Sequence, residues 1–229
     1  PPPLVTTDLM RAELHSHTNA SDGVMTLREL VEQAKSRGYH TIAVTDHSKS
    51  SGQANGLSPD RLRAHIEAIH ELNEEIKGIR VLAGSEVDIL SDGRLDYDDD
   101  LLASLDIVVA SPHAALTQDS KKATKRLLAA IEHPLVHIIG HPTGRIINKR
   151  EGLSPDMPRL IERAVADQDM GVVAMKTLKG AKHENMSGFQ EHAGAYSQAA
   201  LRWVLSNPKV SAAIISFFEF QHVDEYLQA

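Results

Sequence analysis

Five segments of this chain end in residue types that bind divalent metals. They are His15-Ser16-His17, Thr45-Asp46-His47, Gly84-Ser85-Glu86, Ser111-Pro112-His113 and Gly140-His141-Pro142. Asp22 follows the first pair in the loop Asn19-Ala20-Ser21-Asp22-Gly23. Imidazole with carboxylate suits zinc, manganese or iron, and a bridging carboxylate such as Glu86 could join two ions. Each segment closes a strand-like run. Residues i and i+2 of a strand face one side, so His15 and His17 can enter one site. A lone histidine at a strand end is more often packed or hydrogen bonded than a ligand. Five consecutive strands ending in this way point to a site.

The elements that must position these residues alternate along the chain. Strands are expected over 12–18, 40–46, 79–89, 106–111, 136–140, 171–177 and 211–217. Helices are expected over 26–37, from the Ser58-Pro59-Asp60 cap to about 76, over 120–132, after Ser154-Pro155-Asp156, and over 193–206 and 221–227. Ser91-Asp92-Gly93 should turn the third strand into a short hairpin partner. Seven β-then-α units imply a parallel sheet with right-handed crossovers. The expected fold is α/β, a single distorted TIM-like (βα)7 parallel barrel over residues 1–229, with an open doubly wound sheet as the alternative. Barrel enzymes build their sites at the carboxyl rim of the strands, where these histidines would stand.

Composition narrows the chemistry further. The chain has 229 residues, 41% hydrophobic and 24% charged, which are globular values. It has no cysteine, which excludes disulfides, iron–sulfur sites, zinc ribbons and a thiolate nucleophile. The net charge of −7 argues against a broad nucleic-acid-binding face. The run Ile107-Val108-Val109-Ala110 is a strand core, far short of a membrane span. The expectation is a cytoplasmic protein with no membrane association and no obligate protein partner. Pro1-Pro2-Pro3 reads as the stub of an interdomain linker or a processed terminus. Of the 13 histidines, His65, His70, His133 and His137 read as solvated, and His40 as the start of a strand. His183, His192 and His222 are assigned no role.

The constellation resembles the PHP family of metal-dependent phosphoesterases, and most of all the PHP domain at the C-terminus of bacterial and archaeal family X DNA polymerases. The resemblance is carried by LHSHT at 14–18 with SDG at 21–23, VTDHSKSSGQANGL at 44–57, GSEVDILSDGRLDY at 84–97 and IGHPTGR at 139–145, and extends to about residue 163. It implies that His15, His17, Asp22, His47, Glu86, His113 and His141 are ligands of up to three ions. Such a cluster would use a metal-bound hydroxide to hydrolyse a phosphodiester, with a phosphate ester or a DNA 3′ end as substrate. Lys49 and Arg145, each just past a ligand, are candidate phosphate contacts, with an ordinary surface cation as the equal alternative.

The family pattern finishes with an Asp-x-His pair, and none occurs after His141. The resemblance then implies one set, His15, His17 and Glu86, lacking an Asp; a second, Glu86, His113 and His141, intact; and a third, Asp22 and His47, lacking a His. One or two ions, zinc or manganese, and weak or absent turnover are expected. Residues 171–181 and 199–217 instead resemble the aldo-keto reductases, as their seventh strand and final helix–strand step. The expected chain is a chimera, PHP-like over 1–165 and reductase-like over 166–229, engineered or a natural recombinant. The reductases' catalytic residues come from strands absent here, so Lys176 and Thr177 are given no role and NADPH binding is not expected. A folded scaffold without activity is the rival reading, and a nicotinamide-dependent oxidoreductase a distant third.

Overall fold

The computed structural model describes residues 9–146, 149–175 and 203–214. They fall into two compact units, one holding residues 9–144 with 152–156 and the other holding 145–146, 149–151, 157–175 and 203–214.

The first unit is a parallel sheet of five strands: β1 (Ala12–Ser16), β2 (Thr41–Val44), β3 (Arg80–Asp88), β4 (Ile107–Ser111) and β5 (Ile138–Ile139). Spatial order equals chain order, β1-β2-β3-β4-β5, and every neighbouring pair is parallel. Helices α1 (Leu27–Ser36), α2 (Pro59–Glu75), α3 (Asp99–Leu102) and α4 (Ser120–Ile131) lie in the connections.

Local chemistry starts each helix. Thr26 accepts from the Glu29 backbone while Glu29 reaches back to the Thr26 backbone, a capping box that holds the first turn of α1. Ser58 caps α2 with Pro59 at its first position, Asp98 caps α3 and Asp119 caps α4. The apolar stripes of these helices are buried: Val31 and Ala34 on α1, Leu62, Ile66, Ile69 and Leu72 on α2, Ala123, Leu127 and Ala130 on α4. They join Ile42, Val44, Val81, Ala83, Val108 and Ala110 of the sheet in one core. Each such aliphatic side chain contributes roughly 1.5–3 kcal/mol by leaving water.

Hairpin chemistry follows β3 as expected. Leu90 donates to the Arg94 carbonyl at 2.8 Å, Gly93 turns the chain at φ 95°, and Ile89 bridges Leu95 antiparallel. The fifth strand is shorter than the expected 136–140, with two residues in the ladder.

In the second unit, α5 (Met157–Glu162) runs into a wider π-helical turn at Arg163–Asp167. Strands β6 (Val173–Met175) and β7 (Ala212–Ile214) pair in parallel as a separate two-stranded sheet. The sixth and seventh strands therefore exist where expected. Among the described residues, however, the parallel sheet has five strands, so a closed (βα)7 barrel is narrowed to an α/β fold with a five-stranded parallel sheet. Lys176, Thr177, His183, His192 and His222, most of the reductase-like segment and the closing helix lie outside the described residues. No described helix is long and apolar enough to cross a membrane.

Candidate metal centre

Glu86 stands at the middle of the sheet, near the carboxyl end of β3, and its side chain is 2% exposed. His15 Nε2 and His17 Nε2 each lie 3.3 Å from its Oε2, and His47 Nδ1 lies 3.4 Å away. Its other oxygen, Oε1, faces His113 Nε2 at 3.4 Å and His141 Nε2 at 2.9 Å. Strands sit about 4.8 Å apart, so in a flat sheet β1 and β5 would each be roughly 10 Å from β3. Contact from both sides at about 3 Å is what a curled sheet provides. His47 forms a parallel bridge with Glu86, which sets the two side by side. A register irregularity between Glu13 and Ser16 falls at His15, where such bulges re-aim a side chain.

Asp22 approaches from the loop after β1, 2.9 Å from His17 Nδ1 and 3.5 Å from His47 Nε2. This loop is tight. A Cβ on Gly23 would lie 2.2 Å from the His17 carbonyl oxygen, which excludes any other residue without a backbone shift. Behind the loop, the buried Asp46 carboxylate accepts from Thr18 N at 2.9 Å, Thr18 Oγ1 at 2.7 Å, Ser21 Oγ at 2.5 Å and His65 Nε2 at 3.0 Å. On the other side, Asp88 Oδ1 lies 2.5 Å from His113 Nδ1, and Ser51 donates to Asp88 Oδ2 at 2.8 Å.

Electrostatics follow from this packing. Burial alone would raise the Glu86 carboxyl, but the imidazoles of His113, His141, His15 and His17 hold it far below the usual carboxylate range. Burial opposes protonation of His113, yet Asp88 and Glu86 together push it up to about 9. His17 is raised against the same burial by Glu86 and Asp22. His47 is lowered, by burial that the field of Glu86 offsets only in part.

Two atoms of the cluster test its fitness for a cation. His47 Nδ1 and Glu86 Oε1 are buried and, among the described residues, have no hydrogen-bond partner. They lie within ion-pair reach of their neighbours without meeting hydrogen-bond geometry, and buried polar atoms left in this way are costly unless an ion joins them. Among the described residues, three candidate ligand groups have donor atoms within 4.8 Å of one another: His15, His17 and Glu86; His17, Asp22 and His47; and His47, Glu86 and His113. The donor set therefore fits divalent ions.

All seven residues singled out from the sequence meet here. His17, Asp22, His47, Glu86, His113 and His141 line one cavity of about 460 Å³, and His15 lies against Glu86. The grouping differs from the expected sets, since His113 joins His47 and Glu86, and the Asp22–His47 pair gains His17. Lys49 turns elsewhere, its Nζ 5.9 Å over the Tyr97 ring, and lines a different cavity. Arg145 belongs to the other unit.

His65 is a correction. It is not solvated, since its side chain is 11% exposed and bonded to Asp46. His133 likewise pairs with Asp99 at 3.3 Å, and His137 Nδ1 accepts from Val108 N at 3.1 Å, while His70 is exposed. Asp46 and Asp88 were not anticipated. Their signal is in the sequence, one beside the candidate ligand His47 and the other two residues beyond Glu86 on the same strand face.

Comparison with known proteins places this centre in context. Residues 13–176 match the PHP domain family. The chain is 45% identical over 155 residues to the DNA polymerase/3'-5' exonuclease PolX of Bacillus subtilis, covering 68% of this chain and 27% of that protein. It is 31% identical over 142 residues to a probable phosphatase of Syntrophotalea carbinolica, covering 59% of this chain and 57% of that one. A probable phosphatase of Thermoanaerobacter is 35% identical over 136 residues, 57% of this chain and 53% of its own length. The chain thus spans about a quarter of the first relative and about half of the others. Among solved structures, a histidinol phosphate phosphatase from Lactococcus lactis, complexed with zinc, L-histidinol and phosphate, superposes with a TM-score of 0.45 at 16% identity, over 73% of this chain and 74% of that one.

Proposed function

Because the chain belongs to the PHP domain family, we propose that it is a divalent-metal-dependent phosphoesterase whose centre is built on Glu86 and that it acts on a phosphodiester or a DNA 3′ end. The observation that carries this is the buried carboxylate ringed by five imidazoles, with its Oε1 and His47 Nδ1 left without hydrogen-bond partners. Zinc or manganese ions held there would lower the pKa of a coordinated water and polarise a phosphoryl oxygen.

The chain's own residues do the positioning. Glu86 divides its oxygens, Oε2 toward His15, His17 and His47 and Oε1 toward His113 and His141, as a bridging carboxylate must. Asp88 holds His113 with Nε2 facing inward. Asp22 and His141, about half exposed, form the open edge through which a phosphate group could enter. The polymerase/exonuclease relative supports a nucleic-acid end as substrate, and the probable phosphatases support a smaller ester.

The sequence has no Asp-x-His pair after His141, which supports one or two bound ions and weak turnover. The same absence supports a second reading in which the protein binds metal without turning over, whereas the family match runs to residue 176, past a join near residue 165 between PHP-like and reductase-like segments. Elemental analysis after dialysis, paired with hydrolysis of a generic phosphodiester with and without chelator and added manganese, tests these readings. Bound metal with slow, chelator-sensitive turnover supports the phosphoesterase. Stoichiometric metal without turnover selects the second reading, and no metal overturns both.

A further inference from the structure

Arg126, on α4, is 2% exposed and the largest fully buried side chain among the described residues. Among the described residues its hydrogen bonds all go to neutral oxygens, and Asp88 and Asp92 reach it only through their field. Nε donates to the Ile89 carbonyl at 3.1 Å and Nη2 donates to the same oxygen. Nη1 donates to the Ala114 carbonyl at 3.0 Å, the Ala115 carbonyl at 3.3 Å and Gln118 Oε1 at 3.3 Å. Burying a guanidinium on carbonyls is expensive, and an apolar side chain would fill the same space of an amphipathic helix without that cost. What arginine adds is a rigid fork of donors able to tie two separate backbone segments together.

Those segments are specific. Ile89 directly follows Asp88, and Ala114 directly follows His113. The β3–β4 ladder ends at the pair Asp88 and Ser111, and the chains then part into the 90–95 hairpin and the loop after His113. Arg126 bridges this fork just beyond the Asp88–His113 contact. Ala115 is held at φ 52°, a conformation that side-chain-bearing residues keep only where surrounding contacts impose it.

We propose that Arg126 is a positioning residue for the metal centre: by fastening the backbone after Asp88 to the backbone after His113, it holds the His113 imidazole in its ligand orientation. This rests on the metal-centre reading above. The alternative, that Arg126 only satisfies buried carbonyls, makes a different prediction.

The test compares Arg126→Met, Arg126→Lys and, as a core control on the same helix, Leu127→Ala. Two readouts are used, manganese and zinc affinity and the imidazole nitrogen spectrum of His113 in metal-free protein. Arg126→Met should weaken the ion held by His47, Glu86 and His113 by about 10–100-fold, the range seen for residues that orient a ligand. Arg126→Lys, able to grip one segment but not both, should fall between. Leu127→Ala should lose stability and keep its affinity. In the metal-free spectrum the Nδ1–H signal of His113 should shift or broaden in both arginine variants and stay put in the control. Should Arg126→Met fail to fold, Arg126→Lys and its spectrum decide the matter. Unchanged affinity and an unmoved His113 signal in the folded arginine variants would overturn the proposal. A wild-type protein without metal affinity defeats the metal-centre reading alone, and the spectrum then still tests whether Arg126 sets the ring.

Discussion

Asp88 Oδ1 lies 2.5 Å from His113 Nδ1, and this contact decides which nitrogen of His113 is available to the centre. With the Nδ1 proton held by the carboxylate, Nε2 faces Glu86 Oε1 at 3.4 Å. Asp88 is itself fixed by Ser51, which donates to its second oxygen at 2.8 Å, and by its own backbone N–H, which donates to Ser48 Oγ at 2.9 Å. Carboxylate partners of this kind set both tautomer and ring orientation of a ligating histidine.

Asp88→Asn keeps the shape and removes the charge. It should weaken metal binding by about 10–100-fold while leaving the fold intact. Titration with manganese or zinc, read beside circular dichroism, checks this. Wild-type affinity would show that His113 needs no fixed tautomer.

The pH dependence has a definite sign. His113 is pushed up to about 9 from 6.5, so the folded metal-free protein favours its protonated form. That contribution to stability is fully present below pH 6.5 and is lost as pH rises through 9. Metal binding runs the other way, because the proton must leave before the nitrogen can ligate. Chelator-treated protein should therefore melt at a lower temperature at pH 9 than at pH 6.5, while metal affinity rises over the same interval. Thermal melts and metal titrations across that window supply both curves.

Gly23→Ala introduces a Cβ 2.2 Å from the His17 carbonyl oxygen, a backbone atom that cannot swing aside. The cost should be about 1–3 kcal/mol, typical of overpacking. The shift falls on the loop that carries Asp22, so affinity of the His17–Asp22–His47 group should fall with stability. Urea unfolding and metal titration measure the two effects.

His65→Ala leaves the buried Asp46 carboxylate short of one donor. A destabilisation of about 1–3 kcal/mol is expected, with partial recovery in His65→Gln, which restores an N–H. Chemical denaturation of the three proteins checks the order. Equal stability would mean that water replaces the imidazole without cost.

Much of this was legible in the sequence, and the limits have physical causes. Ser58-Pro59 marked the start of α2 because cap and proline act locally, and His15, Glu86 and His113 stood out because strand ends carry sites in parallel α/β folds. His65 was misread because helical spacing reports which residues flank a side chain and says nothing of a carboxylate brought in from β2. Arg126 escaped for the same reason: a cation on an amphipathic helix reads as solvent-facing, and backbone carbonyls have no sequence signature. α3, only four residues long, has too few residues for a periodicity to show. The alternation of strands and helices implies a parallel sheet, but it does not say in which order the strands pair or whether the first and last of them meet.

The strand order has a consequence for assembly. Since space and sequence share one order, each strand after the first pairs with the one before it and brings its own candidate ligand to the same rim. Along the chain the candidate ligands come in turn: two imidazoles at the end of the first strand, a third after the second, the carboxylate from the third, then His113 and His141. Without the third strand, three imidazoles and Asp22 would face one another with no carboxylate between them and the last two rings. Glu86 is thus the keystone that joins the first half of the ring to the second. A chain cut after the third strand should keep the His15–His17–Glu86 group, and a chain cut before it should keep only His17, Asp22 and His47.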